Sequence, residues 1–110
     1  MNILLHTIAL EPARWTPQRV SQKLTELLPR IAAAGFRELE IFEPHLGAEP
    51  GSAEIRDALA ANGLRPVILS SYIQLNPAKT SDLEFSGQIA LIAERVRFYG
   101  FQKIRIFPGA

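Results

Sequence analysis

The sequence predicts an α/β fold: half of a parallel (β/α)8 barrel, with four strands and three helices filling residues 1–110 as one domain. Three observations predict it. A glycine-led unit recurs three times, as GFRELEIF from Gly35, GLRPVILS from Gly63 and GFQKIRIF from Gly100. Each copy follows a helical pattern and opens an apolar strand, so strands and helices alternate and the strands run parallel. One strand face is wholly apolar and the other is mixed, which fits a sheet with helices on one side only.

The elements follow in order. The first strand is expected from about Ile3 to Ala9. Thr16 before Pro17 marks a helix start, with proline at the first helical position. Val20, Leu24, Leu27, Leu28 and Ile31 then form one apolar stripe. Ser52 is placed to cap the second helix, whose core candidates are Ile55 and Leu59. Ser81-Asp82-Leu83-Glu84 matches a capping box, and Ile89, Ile92, Val96 and Tyr99 share a face of the third helix. The repeat glycines suit left-handed helix ends.

Numbered from each glycine, the strand positions sort by face. Leu39, Val67 and Ile104, with Ile41, Leu69 and Ile106, make the apolar face expected to pack under the helices. The opposite face holds Glu40, Ile68 and Arg105, then Phe42, Ser70 and Phe107. A doubly wound sheet covers both faces and reads apolar throughout its central strands. Charges in mid-strand fit a barrel interior, where alternate strands share a layer, so Glu40 and Arg105 are expected to meet there. The open-sheet alternative wants a glycine- or hydroxyl-rich phosphate loop after the first strand, and Thr7-Ile8-Ala9-Leu10-Glu11-Pro12 has no glycine.

Composition narrows the function. Apolar residues make up 47% of the chain, a globular proportion, and the net charge of +1 offers nucleic acid no electrostatic footprint. The absence of cysteine excludes disulfides, thiolate metal sites and cysteine nucleophiles. No segment has the apolar length of a membrane span and no signal-like leader precedes the first strand, so a soluble cytoplasmic protein without membrane partners is expected. There is no phosphate loop, dinucleotide fingerprint or nucleophile elbow.

Four strands cannot close a barrel of eight. The expectation is therefore a fragment of a longer chain, or a chain that pairs with a C-terminal half-barrel or with a second copy of itself.

The segment AAAGFRELEIFEPHL, with its helix end, glycine, aromatic residue and mid-strand Glu, resembles the second repeat of the xylose-isomerase-like TIM barrels. These include sugar phosphate isomerases and epimerases and, more distantly, apurinic-site endonucleases. The resemblance covers the whole chain as the N-terminal half of such a barrel. It implies proton transfer between adjacent carbons of an aldose or ketose, with a divalent metal (Mn, Mg, Zn or Co) in the full barrel. The family's metal ligands come mostly from later strands, so no ligand is assignable here and the 110 residues alone are expected to be inactive. In the endonuclease branch, zinc-binding histidines end the third and fourth strands. Leu69 and Phe107 occupy those positions and cannot ligate a metal, which favours sugar chemistry over DNA incision. The alternative reading is a non-catalytic half-barrel that self-associates or binds a small ligand.

Candidate site residues lie toward the C-terminal ends of the strands, where barrel sites are built. His6 ends the first strand and points inward by alternation, suited to proton transfer or a sugar hydroxyl; the plainer reading is an internally paired histidine. Glu40 with Arg105 is either a structural ion pair or a substrate-facing charge pair. Glu43 and His45 follow the second strand and can position a base or bind hydroxyls, although a solvated turn also explains them. Tyr72, Gln74 and Asn76 offer neutral donors and acceptors to a polyol, against ordinary turn chemistry. Trp15 can stack on a sugar or act as a hydrophobic staple. Catalytic candidates are thus His6, Glu40 and Glu43. Binding candidates are Trp15, His45, Tyr72, Gln74, Asn76 and Arg105.

Overall fold

The computed structural model describes residues 3–11, 22–73 and 75–108. Four parallel strands lie in sequential order: β1 (Leu4–His6), β2 (Glu38–Phe42), β3 (Arg65–Ile73) and β4 (Lys103–Pro108). Three helices connect them: α1 (Leu24–Ala33), α2 (Ala53–Ala61) and α3 (Asp82–Tyr99). This is the half-barrel the repeat predicted. The first strand is shorter than expected, because Thr7–Leu10 turns into a 3-10 helix. β3 is longer and carries Tyr72 within it.

Each helix forms for a local reason. The stripe Leu24, Leu27, Leu28 and Ile31 is buried along α1. This helix also contains Pro29, whose ring removes an internal hydrogen bond at about 3 kcal/mol. Four apolar side chains, each worth about 1.5–3 kcal/mol when fully buried, outweigh that loss. The described helix begins at Leu24 after Lys23, which makes no side-chain cap; the expected start at Thr16-Pro17 and the stripe residue Val20 lie outside the described residues. On α2, the Ser52 hydroxyl accepts from the Ile55 N–H at 3.3 Å, and Ile55 and Leu59 are buried.

On α3, the Ser81 hydroxyl accepts from the Glu84 N–H at 3.1 Å and donates to the Glu84 carboxylate at 3.2 Å. The expected reciprocal bond of a capping box is thereby replaced by a side-chain pair. Gly35, Gly63 and Gly100 all have positive φ, at 97°, 64° and 78°, which explains why the repeat begins with glycine.

The core lies between the outer sheet face and the helices. Leu39, Ile41 and Leu69 are fully buried there, and Val67 is 8% exposed. β4 departs from expectation: Ile104 and Ile106 are 45% and 44% exposed. The equivalent residues of β2 and β3 have helices laid over them, whereas β4 is an edge strand. The face expected on α3 is likewise split. Ile92 and Tyr99 are buried, Val96 is half-buried, and Ile89 is exposed along with Leu83 and Phe85 in the helix's first half.

Two contacts fasten α2 to α3. The Tyr99 hydroxyl accepts from the Ser52 N–H at 2.8 Å. Gly51 lies against the Phe98 ring so closely that an added Cβ would stand 2.5 Å from it.

Candidate functional site

The inner face of the sheet gathers three of the candidates. His6 and Glu40 are register partners across β1 and β2. Nδ1 of His6 stands 3.8 Å from Oε2 of Glu40, too far for a hydrogen bond. Arg105 reaches the same oxygen from β4, its Nε at 2.8 Å. The expected Glu40–Arg105 pair therefore forms across β3. It is a close ion pair without hydrogen-bond alignment, since Glu40 Oε2 has no directed donor.

Glu40 is buried, whereas the Arg105 side chain is 55% exposed. Nε2 of His6 is sealed from solvent without a hydrogen-bond partner, as is the hydroxyl of Ser70 on the same face. Burial lowers the His6 pKa below its ordinary value; the Glu40 charge opposes that effect, and Arg105 and His45 add to it. Beyond this cluster stands an aromatic wall. Tyr72 stacks on Phe107 with ring centres 5.1 Å apart and meets Phe42 edge-on at 6.1 Å. Desolvation raises the Tyr72 pKa, so its hydroxyl stays neutral at ordinary pH.

The other candidates are placed differently. Glu43 and His45 lie in a second 3-10 turn, Glu43–Leu46, rather than in a solvated loop. Glu43 accepts from the Ser71 hydroxyl and, at 2.7 Å, from Arg95 of α3. Arg95 also donates to the Gly47 and Glu49 carbonyls, at 2.6 and 3.1 Å, and so clamps the chain after β2. His45 is buried with both ring nitrogens engaged, Nδ1 on the Thr7 hydroxyl and Nε2 on Glu11, each at 2.9 Å.

The Thr7 oxygen also accepts from the Phe42 N–H at 2.9 Å. Its own proton is then free for His45 Nδ1, while Glu11, an acceptor, takes a hydrogen bond from Nε2–H. Thr7, His45 and Glu11 thus imitate a nucleophile relay, but Thr7 is fully buried and its oxygen is already bonded. The Asn76 side chain accepts from the Ala78 N–H at 3.0 Å, closing a turn. Trp15 and Gln74 lie outside the described residues.

Sequence reading passed over Thr7, Glu11, Ser71 and Arg95. For Arg95 a signal existed: it sits three residues after Ile92 and four before Tyr99, on the buried face of α3. Glu11 and His45 are 34 positions apart, and no local pattern joins them.

Among the described residues, no three His, Asp or Glu side chains converge as a metal site. No described helix is long and apolar enough to cross a membrane.

No protein-family model and no curated protein matches this chain. Its fold is similar to the crystal structure of the probable 3-DHS dehydratase AsbF, involved in petrobactin synthesis, from Bacillus anthracis. The TM-score is 0.69 at 17% identity, over 99% of this chain and 39% of that one. This likeness shows the fold, and the chain spans well under half the length of the protein it resembles.

Proposed function

We propose that the inner face of this half-barrel serves proton transfer between adjacent carbons of a sugar or sugar phosphate, as in an isomerase or epimerase. The observation that carries the reading is the convergence of His6, Glu40 and Arg105 on the face that lines a barrel interior. The Glu40 carboxylate is the base for a proton on the carbon beside a carbonyl. Return of that proton to the neighbouring carbon, with the hydroxyl proton passing to the former carbonyl oxygen, isomerises the substrate; delivery of a proton to the opposite face by a second acid epimerises it. Arg105 favours the negative charge that develops on the substrate oxygen. The partly exposed His6 ring lines the same face beside Glu40 and offers a hydrogen-bonding group to a substrate hydroxyl. Dehydration, the activity in the neighbour's name, also removes a proton together with a hydroxyl, which supports the same class of chemistry.

A divalent metal does not fit this chain's own described side chains, which supply no three-ligand group. If the full barrel holds one, strands beyond these four supply at least part of its ligand set.

The test begins with binding. Ketopentoses, ketohexoses and their phosphates are titrated into isotope-labelled chain, and amide shifts are followed by NMR. The reading expects shifts at His6, Glu40 and Arg105, and at least ~10-fold weaker binding in Glu40→Gln, the loss of one charged hydrogen bond. Millimolar ligand that leaves those amides unmoved, or moves only the helix side, overturns it.

A further inference from the structure

We infer that Arg95, on the buried face of α3, is a positioning residue for His6: it holds the loop after β2, and that loop holds the turn into which His6 leads. The Arg95 side chain is 5% exposed. Among the described residues, every hydrogen bond of its guanidinium goes to residues 43–49. One terminal nitrogen meets the Glu43 carboxylate, and the other meets the Gly47 and Glu49 carbonyls. A planar guanidinium serves these acceptors as a fixed fork, a geometry that an ammonium does not copy. This role rests on the reading of His6 as a site residue, and it brings a side chain of the helix layer into the site's support.

The constraint passes from α3 to β1 through named contacts. The Ser71 hydroxyl of β3 donates to the second oxygen of Glu43, so the carboxylate is fixed from both the sheet and the helix. Glu43 opens the 3-10 turn Glu43–Leu46, and His45 is buried within it. The Thr7 hydroxyl is bonded to Nδ1 of His45, and Thr7 follows His6 directly as the first residue of the turn after β1. A displaced Glu43–Leu46 turn therefore pulls on Thr7, and Thr7 pulls on His6.

Burial makes this route stiff. Thr7 and His45 are both buried, and Thr7 also receives the Phe42 N–H. A sealed polar group that loses a partner finds no water to replace it, so the pair holds its geometry or pays the full desolvation penalty. His6 itself faces Glu40 and Arg105 on the sheet, with His45 close enough to oppose its protonation. Of these three neighbours, His45 is the one in the loop that Arg95 clamps.

Hydrogen exchange and imidazole NMR test the inference on the chain without ligand. Arg95→Lys keeps a positive charge opposite Glu43 and gives up the fork. The Phe42 amide, at the far end of the route, should then quicken at least ~10-fold more than the amides of Leu39 and Leu69, the equivalent of one charged hydrogen bond. The chain has two histidines, so its imidazole spectrum holds one signal for each. The His6 signal should move, and its titration midpoint should rise toward the ordinary value of about 6.5 as water reaches the loosened ring. A loss of stability that quickens all three amides alike and leaves the His6 signal in place would make Arg95 a brace of the fold only, and overturns the inference.

Thr7→Val, which removes the hydroxyl and cuts the route, gives a second readout. In that background Arg95→Lys should move the His6 signal no further, because the two changes act through one path. A second shift of undiminished size overturns the proposed route. Where Arg95→Lys does not fold, Glu43→Gln takes its place: it keeps an acceptor for Arg95 and weakens the pair by removing its charge, and the same amides and signal decide. No measurement here uses a sugar, so failure of the positioning role and failure of the sugar chemistry are told apart.

Discussion

His6 is the side chain at which environment and chemistry meet most directly. Its folded pKa lies below the ordinary value of about 6.5, chiefly through burial. Between the two pKa values the unfolded chain binds the extra proton and the folded chain does not. His6 therefore costs stability as pH falls through about 6.5 and continues to do so down to its folded pKa, while above that window its contribution is flat. Urea midpoints at pH 5 and pH 7.5 should differ more for the wild type than for His6→Asn, since the difference between the two proteins isolates this group from the carboxylates. Equal pH dependence in both would show that His6 titrates alike in the folded and unfolded chains. The neutral ring also suits the proposed chemistry, because a protonated His6 would compete with the substrate for Glu40.

At the scale of elements, the segment leading into α2 packs against α3 with no spare room. Gly51 precedes α2 where the Phe98 ring leaves no room for a methyl group, and the Arg56 guanidinium lies over that same ring, 4.5 Å from its centre. Gly51→Ala must push a ring that is itself held edge-on to Tyr99, at 4.8 Å. Overpacking of this kind costs about 1–3 kcal/mol, measured as a lower urea midpoint at unchanged slope. Phe98→Leu should restore much of the loss in the double variant, because it removes the obstructing ring. Nothing in the spacing of the sequence pointed to Gly51. Its constraint comes from α3, 47 positions onward, and tertiary contacts of that reach leave no periodic trace.

Across the whole molecule, burial falls from the middle of the sheet to its edges. Leu39, Ile41, Phe42, Leu69 and Ser70 are sealed in β2 and β3, while the outward side chains of β4 stand open. Amide hydrogen exchange should follow that gradient, slowest in β2 and β3 and fastest at the outer edge of β4. Uniform protection in dilute monomer would contradict it. The same gradient explains what was legible in the sequence. Glycine placement, helix caps and two-residue alternation are local, so the strand order, the helix ends and the inner-face meeting of Glu40 with Arg105 could all be read from GFRELEIF and GFQKIRIF. The exposure of Ile104 was not legible, because alternation reports which face a residue takes and not whether anything covers that face. The short β1 was hidden too: Thr7 reads as a strand residue, and its turn is fixed by bonds to Phe42 and His45.

Those bonds have a consequence for how the mouth of the sheet can vary. The 3-10 turn after β1 and the one after β2 are pinned by a single chain of hydrogen bonds that runs one way, from the Phe42 amide through Thr7 and His45 to Glu11. Two turns that look like independent loops behave as one piece of rim. Neither can be redesigned, lengthened or swapped alone: a graft at one carries with it the obligation to supply the matching donor or acceptor at the other.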